Sequence, residues 1–197
     1  MLKRCLVALV LSFILAGSAV AEPEEDGWAA YNSGDYESAL TFWTPLAEQG
    51  DAKYRYIVGT MYSEGQGVAQ DDVEAVKWYR LAAEQGYAIA QNSLGLQYAN
   101  GQGVSQDFAE ALRWYHLAAE QGYEKAQSNL GVMYARGRGV PEDLVVAYVW
   151  FDLAARQGNE QANENRDTAS SSMTPEQIDK AKRLSRACIN AQYKNCP

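Results

Sequence analysis

The sequence predicts an all-α fold, a solenoid of helix-turn-helix repeats with a 36-residue period. Three observations predict it. Gly65-Gln66-Gly67-Val68, Gly101-Gln102-Gly103-Val104 and Gly137-Arg138-Gly139-Val140 stand 36 positions apart, and Gly50, Gly86, Gly122 and Gly158 keep the same step. A fixed period of this size marks stacked units that bury their apolar faces against one another. Inside each period apolar residues recur at offsets of three to five, the spacing of one helix face. Helix punctuation bounds the halves: Asp71, Asp107 and Asp143 each open an apolar-periodic run, and a Gln-Gly pair closes it.

Residues 1–21 read as a secretory leader, with Lys3 and Arg4 before an apolar run from Cys5 to Gly17 and then Ala19-Val20-Ala21 as the cleavage site. The mature chain then begins at Glu22. An uncleaved membrane anchor is the alternative, but the apolar run is shorter than the ~20 residues that span a bilayer. Ser18 stands where a lipid anchor would need cysteine. Residues 22–50 read as an irregular helix pair: a short helix from Trp28 to Asn32, Gly34-Asp35, then a helix carrying Ala39, Phe42 and Trp43 that Pro45 should bend.

Three full units follow, at 51–86, 87–122 and 123–158. Their first helices carry Tyr54, Val58, Gly59 and Tyr62, then Ala90, Leu94, Gly95 and Tyr98, then Ala126, Leu130, Gly131 and Tyr134. Glycine inside a helix costs about 1 kcal/mol against alanine, so a glycine at one helical position in three units implies close approach of a neighbouring helix. The second helices begin at Asp71 with Glu74 and Asp107 with Glu110, each a capping box, whereas Asp143 keeps the cap and Val146 loses the box. They continue with Ala75, Trp78, Tyr79, Leu81, Ala82 and Ala83, matched by Ala111, Trp114, Tyr115, Leu117, Ala118 and Ala119. Small residues should face the partner helix while the aromatics fill the gap to the next unit. The Gly-x-Gly between the helices lacks the preceding strand and the Lys-Ser/Thr ending of a phosphate loop, and reads as a turn closed by Val104 and its equivalents.

Residues 159–197 read as a partial repeat and a C-terminal capping helix. Ala162 stays in register, but Arg166, Asp167 and Ser170 replace the leucine, glycine and tyrosine, so the stack should end there. Thr174-Pro175-Glu176-Gln177 is a strong helix start. Ile178, Ala181, Leu184 and Cys188 make one apolar stripe, with Lys180, Lys182, Arg183 and Arg186 outside it, which suits a cap or a basic docking helix. Cys188 and Cys196 remain once Cys5 leaves with the leader, an even pair in an oxidising setting, and are read as a disulfide. A continuous helix would hold them about 12 Å apart, too far for a bridge that needs roughly 5.5 Å between Cα atoms. The helix should therefore end near Asn190.

The chain carries a formal charge of −8, and loss of Lys3 and Arg4 leaves 15 basic against 25 acidic side chains. Such a surface repels phosphate backbones, so nucleic acid is excluded as a partner. No second apolar stretch exists after the leader, and no integral membrane segment is expected in the mature chain.

Residues 51–158 resemble the Sel-one-like repeat family, relatives of the tetratricopeptide repeat, through Leu-Gly-x-x-Tyr, Gly-x-Gly-Val, the capping Asp, Ala-x-x-Trp-Tyr and Leu-Ala-Ala-x-Gln-Gly in register. The resemblance implies an α/α superhelix whose first helices line a concave face. It also implies a role in gathering other proteins, many members being adaptors in bacterial envelopes. Some cysteine-rich members are linked to binding or hydrolysing β-lactams, but they carry a cysteine pair in every repeat, and these repeats hold none.

No constellation for catalysis assembles in the sequence. His116, the only histidine, sits where other units have Arg80 and Asp152 and reads as a solvated surface residue. No histidine or paired-cysteine metal site forms around it, there is no Ser-x-x-Lys, and the aspartates are taken up as caps. Trp78, Trp114 and Trp150 could form a sugar-stacking ladder, but their spacing beside alanines is that of core. The expectation is a non-enzymatic, cofactor-free periplasmic or secreted scaffold. Its binding groove should lie on the non-repeating face of the first helices, at Lys53, Tyr56, Thr60, Asn92, Leu96, Asn100, Lys125, Asn129 and Arg136. The other readings are an envelope protein that binds peptidoglycan or β-lactams, with weak hydrolysis, and an exported factor that meets a host.

Overall fold

The computed structural model describes residues 23–197; the leader reading, on residues 1–21, lies outside them. Among the described residues the chain forms ten helices and no strand. They run as α1 (Pro23–Ser33), α2 (Tyr36–Glu48), α3 (Ala52–Glu64), α4 (Asp72–Ala83), α5 (Ala88–Asn100), α6 (Phe108–Ala119), α7 (Glu124–Ala135), α8 (Leu144–Ala155), α9 (Glu160–Ser171) and α10 (Pro175–Asn190). Each helix packs on the next as far as α9, which makes an α/α superhelical solenoid, and α10 turns back to lie along α8.

Close approach inside each unit depends on the helical glycines. A Cβ added at Gly59, Gly95 or Gly131 would stand 2.8, 2.7 or 2.5 Å from a ring carbon of Tyr79, Tyr115 or Phe151. The aromatic ring of the second helix therefore rests on bare backbone of the first. The loops use their second glycine in the same way between units. Gly67 and Gly103 have positive φ, and a Cβ there would overlap the Tyr36 or Asp72 carbonyl group, while one at Gly139 would come 2.9 Å from Phe108 Cβ. Each loop thus sits on the first residue of the preceding unit's second helix. The Gly-x-Gly pattern is a packing device.

Buried glutamines tie the units together. Gln91 and Gln127, 4% and 0% exposed, donate to the Ala83 and Ala119 carbonyls, which belong to the last turns of α4 and α6. Each of those carbonyls also accepts a backbone N–H of the closing turn, from Gly86 at 3.0 Å and Gly122 at 2.9 Å, so the glutamine fills its second lone pair. Gln121 and Gln157 at the next helix ends donate in turn to Gln91 Oε1 and Gln127 Oε1, both at 2.8 Å.

The N-terminal pair is more regular than the sequence suggested. α1 has 11 residues, because Pro23 and the carboxylates Glu24, Glu25 and Asp26 form a favourable first turn. α2 runs unbroken through Pro45, which falls in its last third and leaves Ala39, Trp43 and Ala47 on the buried side. At the other end α9 is a polar terminus, with Glu160, Gln161, Asn163 and Glu164 exposed. The last helix therefore caps the flank of the stack at α8 and not its end face. It begins with the Thr174–Gln177 capping box and stops at Asn190. Gln192, Tyr193 and Asn195 then take positive φ values and bring Cys196 back to Cys188, paired with Cα atoms 5.3 Å apart. Lys180, Lys182, Arg183 and Arg186 stay exposed.

Candidate functional site

The first-helix face carries three cavities in sequence. The first, about 120 Å³, lies between α1, α2 and α3 and takes Tyr56 and Thr60 into its lining with Trp28, Tyr31 and Trp43. The second, about 240 Å³, collects Asn92, Leu96, Lys125 and Asn129 with Asn159 and Gln161. The third, about 290 Å³, sets Arg136 beside Val132, Phe151, Asn165, Thr168 and Ser172. Seven of the nine predicted groove residues thus line cavities, while Lys53 and Asn100 line none of the three.

Their individual settings differ. Lys53 Nζ pairs with Glu24 Oε1 at 2.7 Å and lies 5.6 Å above the Trp28 ring. The hydrogen bond from Lys53 holds the Glu24 carboxyl below its ordinary pKa. Tyr56 is wedged against Tyr79 and Tyr87, with ring centroids 5.8 and 5.7 Å away. Thr60 Oγ1 accepts from the Tyr79 hydroxyl at 3.3 Å and donates to the Tyr56 carbonyl at 3.0 Å. Asn92 is not exposed, as its place on the variable face suggested, but 4% accessible. Its Oδ1 accepts from Asn129 Nδ2 at 2.9 Å, an amide bridge between two units. Leu96 is 38% exposed, Lys125 and Arg136 are exposed, and Asn100 bonds its neighbour Gln102 at 3.3 Å.

Sequence reasoning missed the walls that α1, α2 and α9 contribute. These helices lie outside the three regular units, so no register pointed to Trp28, Tyr31, Asn165 or Thr168. Of these wall residues only Trp43 carried a sequence signal, as an aromatic in the helix before the first unit.

His116 also differs from expectation. It is half-buried, with its ring 5.6 Å from Trp150 and 6.4 Å from Tyr134 in edge contacts. Burial lowers its pKa, with Glu120 opposing. The same register position makes the inter-unit contact elsewhere. Arg80 donates to the Tyr98 hydroxyl at 2.8 Å. Asp152, 5% exposed, receives Arg156 Nε at 2.8 Å, Arg166 Nη1 at 3.3 Å and a hydrogen bond from the Ser185 hydroxyl. Burial pushes the Asp152 carboxyl up, but the Ser185 and Arg156 hydrogen bonds and the two guanidinium charges outweigh it and hold the pKa below its usual value. This position is an interface, not an outer surface.

Among the described residues no three histidine, cysteine or carboxylate side chains come together to hold a metal ion, and no helix is long and apolar enough to cross a membrane. The arrangement offers amides, cations and apolar hollows along one face, the equipment for holding an extended chain.

A helix-pair solenoid with such a face belongs to the class of superhelical repeat proteins. The Sel1 repeat pattern matches residues 52–87, 88–123 and 124–159, and the chain belongs to that family. Proteins of this family typically mediate protein–protein interaction. A Sel1 repeat protein from Oxalobacter formigenes is 34% identical with a TM-score of 0.68, over 74% of this chain and 58% of that one. A protective antigen present in uropathogenic Escherichia coli strains, displaying an SLR fold, is 32% identical with a TM-score of 0.78, over 87% of this chain and 39% of that one. An exopolysaccharide production negative regulator from Rhizobium leguminosarum bv. viciae is 42% identical over 53 residues, 27% of this chain, and its counterpart from Rhizobium meliloti is 40% identical over the same length. Those matches span a fifth of the length of the two rhizobial proteins.

Proposed function

We propose that this protein is a non-catalytic scaffold, exported to the bacterial periplasm, that holds an extended segment of a partner protein along its first-helix face. The observation that supports this most is the second cavity. There the Asn92–Asn129 amide pair joins two units beside exposed Leu96 and Lys125. Buried Asn92 fixes the half-buried Asn129, whose Oδ1 can accept from an extended backbone, while the leucine takes an apolar side chain and the lysine fixes the direction of a charged one. The leader sequence supports the envelope location. The rhizobial relatives are named as negative regulators of exopolysaccharide production, a task in which a scaffold would act by bringing partners together.

The test is crosslinking in intact cells with wild type and a Leu96→Glu, Lys125→Glu, Arg136→Glu variant. All three positions are exposed, so each change should cost no more than about 0.5 kcal/mol of stability. The expected outcome is loss of the wild-type crosslinked species at an unchanged melting temperature. Equal crosslinking by the two proteins would end the scaffold reading on this face, and muropeptide retained by the purified wild type would favour the peptidoglycan reading.

A further inference from the structure

The first cavity has a chemistry that the rest of the groove lacks. Four aromatic residues line it: Trp28, Tyr31, Trp43 and Tyr56. Trp28 and Trp43 meet at 4.7 Å with planes at 62°, and Tyr31 stands 5.6 Å from Trp43 and 6.0 Å from Trp28. Trp28 meets Trp43 and Tyr31 edge to face within the wall, and Trp43 is fully buried, so the aromatic surface an occupant can reach, with its negative quadrupole potential, belongs to Trp28, Tyr31 and Tyr56. Gln66 also lines the cavity, and its Oε1 is buried without a hydrogen-bond donor. The amide orientation is fixed by its other end, since Gln66 Nε2 donates to Glu64 Oε2 at 2.8 Å and a flipped amide would set oxygen against carboxylate. An apolar occupant would leave that acceptor unpaired. No cationic side chain is part of the lining. The Trp28 ring already carries Lys53 Nζ at 5.6 Å, held there by Glu24, so this aromatic group receives a cation from within the chain.

We propose that the cavity between α1, α2 and α3 takes the guanidinium group of an arginine side chain of the partner. A guanidinium stacks its plane on aromatic faces and supplies the N–H that Gln66 Oε1 lacks. The excess of carboxylates over basic groups, 25 against 17 in the whole chain, favours a basic partner. The proposal rests on the groove reading and deepens it, because Tyr56 and Thr60 belong to the same first-helix face.

The experiment titrates the mature protein with N-acetyl-arginine amide, its neutral isostere N-acetyl-citrulline amide, and N-acetyl-norleucine amide, following the indole N–H resonances of Trp28 and Trp43. Arginine amide should bind about five-fold more tightly than either neutral probe, the scale of an exposed cation–π contact. Trp28→Leu should remove most of that preference, whereas Gln66→Leu should weaken the arginine and citrulline amides alike and leave norleucine amide unchanged, because both planar groups donate to Gln66 Oε1. Trp28 is 36% exposed and Gln66 lies in a loop, so both variants should keep the fold. The proposal is overturned by norleucine amide binding as tightly as arginine amide, by arginine amide leaving both indole resonances unshifted, or by arginine amide binding equally well to wild type and Gln66→Leu. If those results come while the groove variant still loses its crosslinked partner, the arginine anchor alone fails. If arginine binds as expected while crosslinking is unaffected by the groove variant, the scaffold reading fails.

Discussion

His116 is the one residue whose charge changes near neutral pH by its unperturbed pKa, about 6.5. Packed against Trp150 and Tyr134, it is held neutral because burial penalises the imidazolium. Its folded pKa is therefore below the unfolded one. In the window just under pH 6.5 the unfolded chain takes a proton that the folded chain refuses, so stability is full above the unfolded pKa and is lost as pH falls toward the folded one. Melting temperatures at pH 7.5 and 5 should differ for wild type, and the difference should shrink in His116→Gln. An equal pH dependence in both proteins would show that the imidazole does not feel the interface. The sequence hid this role because Arg80, His116 and Asp152 share no chemistry. What they share is a place where one unit meets another, met by a hydrogen bond, an edge contact and an ion cluster in turn.

At the scale of elements, α10 is held to α8 by Ala181, Ser185 and Cys188 and by the Ser185–Asp152 hydrogen bond. The tail beyond it is fixed by the cystine, by Trp150 Nε1 donating to the Pro197 carbonyl at 2.8 Å, and by Lys194 at 3.6 Å from Glu120. Three non-glycine residues in left-handed conformation oppose that arrangement. Closing so short a loop restricts the unfolded chain by about 2–3 kcal/mol in the entropy model. The cysteines should be oxidised in the exported protein, and mass spectrometry finding two free thiols would rule this out. Replacing both with serine should speed amide exchange at the end of α10 and the tail while α3 to α7 keep wild-type protection. The cap, the proline start and the stop near Asn190 were legible because capping and bridge geometry are local. The helix's seat on α8 was not, since it depends on a stripe of Val145, Val149 and Leu153 that replaces polar or exposed positions elsewhere.

For the whole molecule, repetition made the architecture readable and the site less so. Glycines, caps and apolar offsets recur, so three copies vouch for each other. The groove is built where the units differ and where the irregular ends close over it, so Asn92 could be placed on the right face yet not recognised as buried. Repetition also governs how damage spreads. A stack in which each unit touches only its neighbours derives stability from shared interfaces. Gly95 lies in the central unit against Tyr115, 2% exposed, and α5 and α6 together contact both α4 and α7. Gly95→Val should lower stability by about 2–3 kcal/mol through overpacking. Tyr115 cannot recede without disturbing helices on either side, so faster amide exchange should reach α3, α4, α7 and α8 as well as α5 and α6. Exchange confined to α5 and α6, or a melting temperature equal to wild type, would show that the glycine contact does not couple the stack.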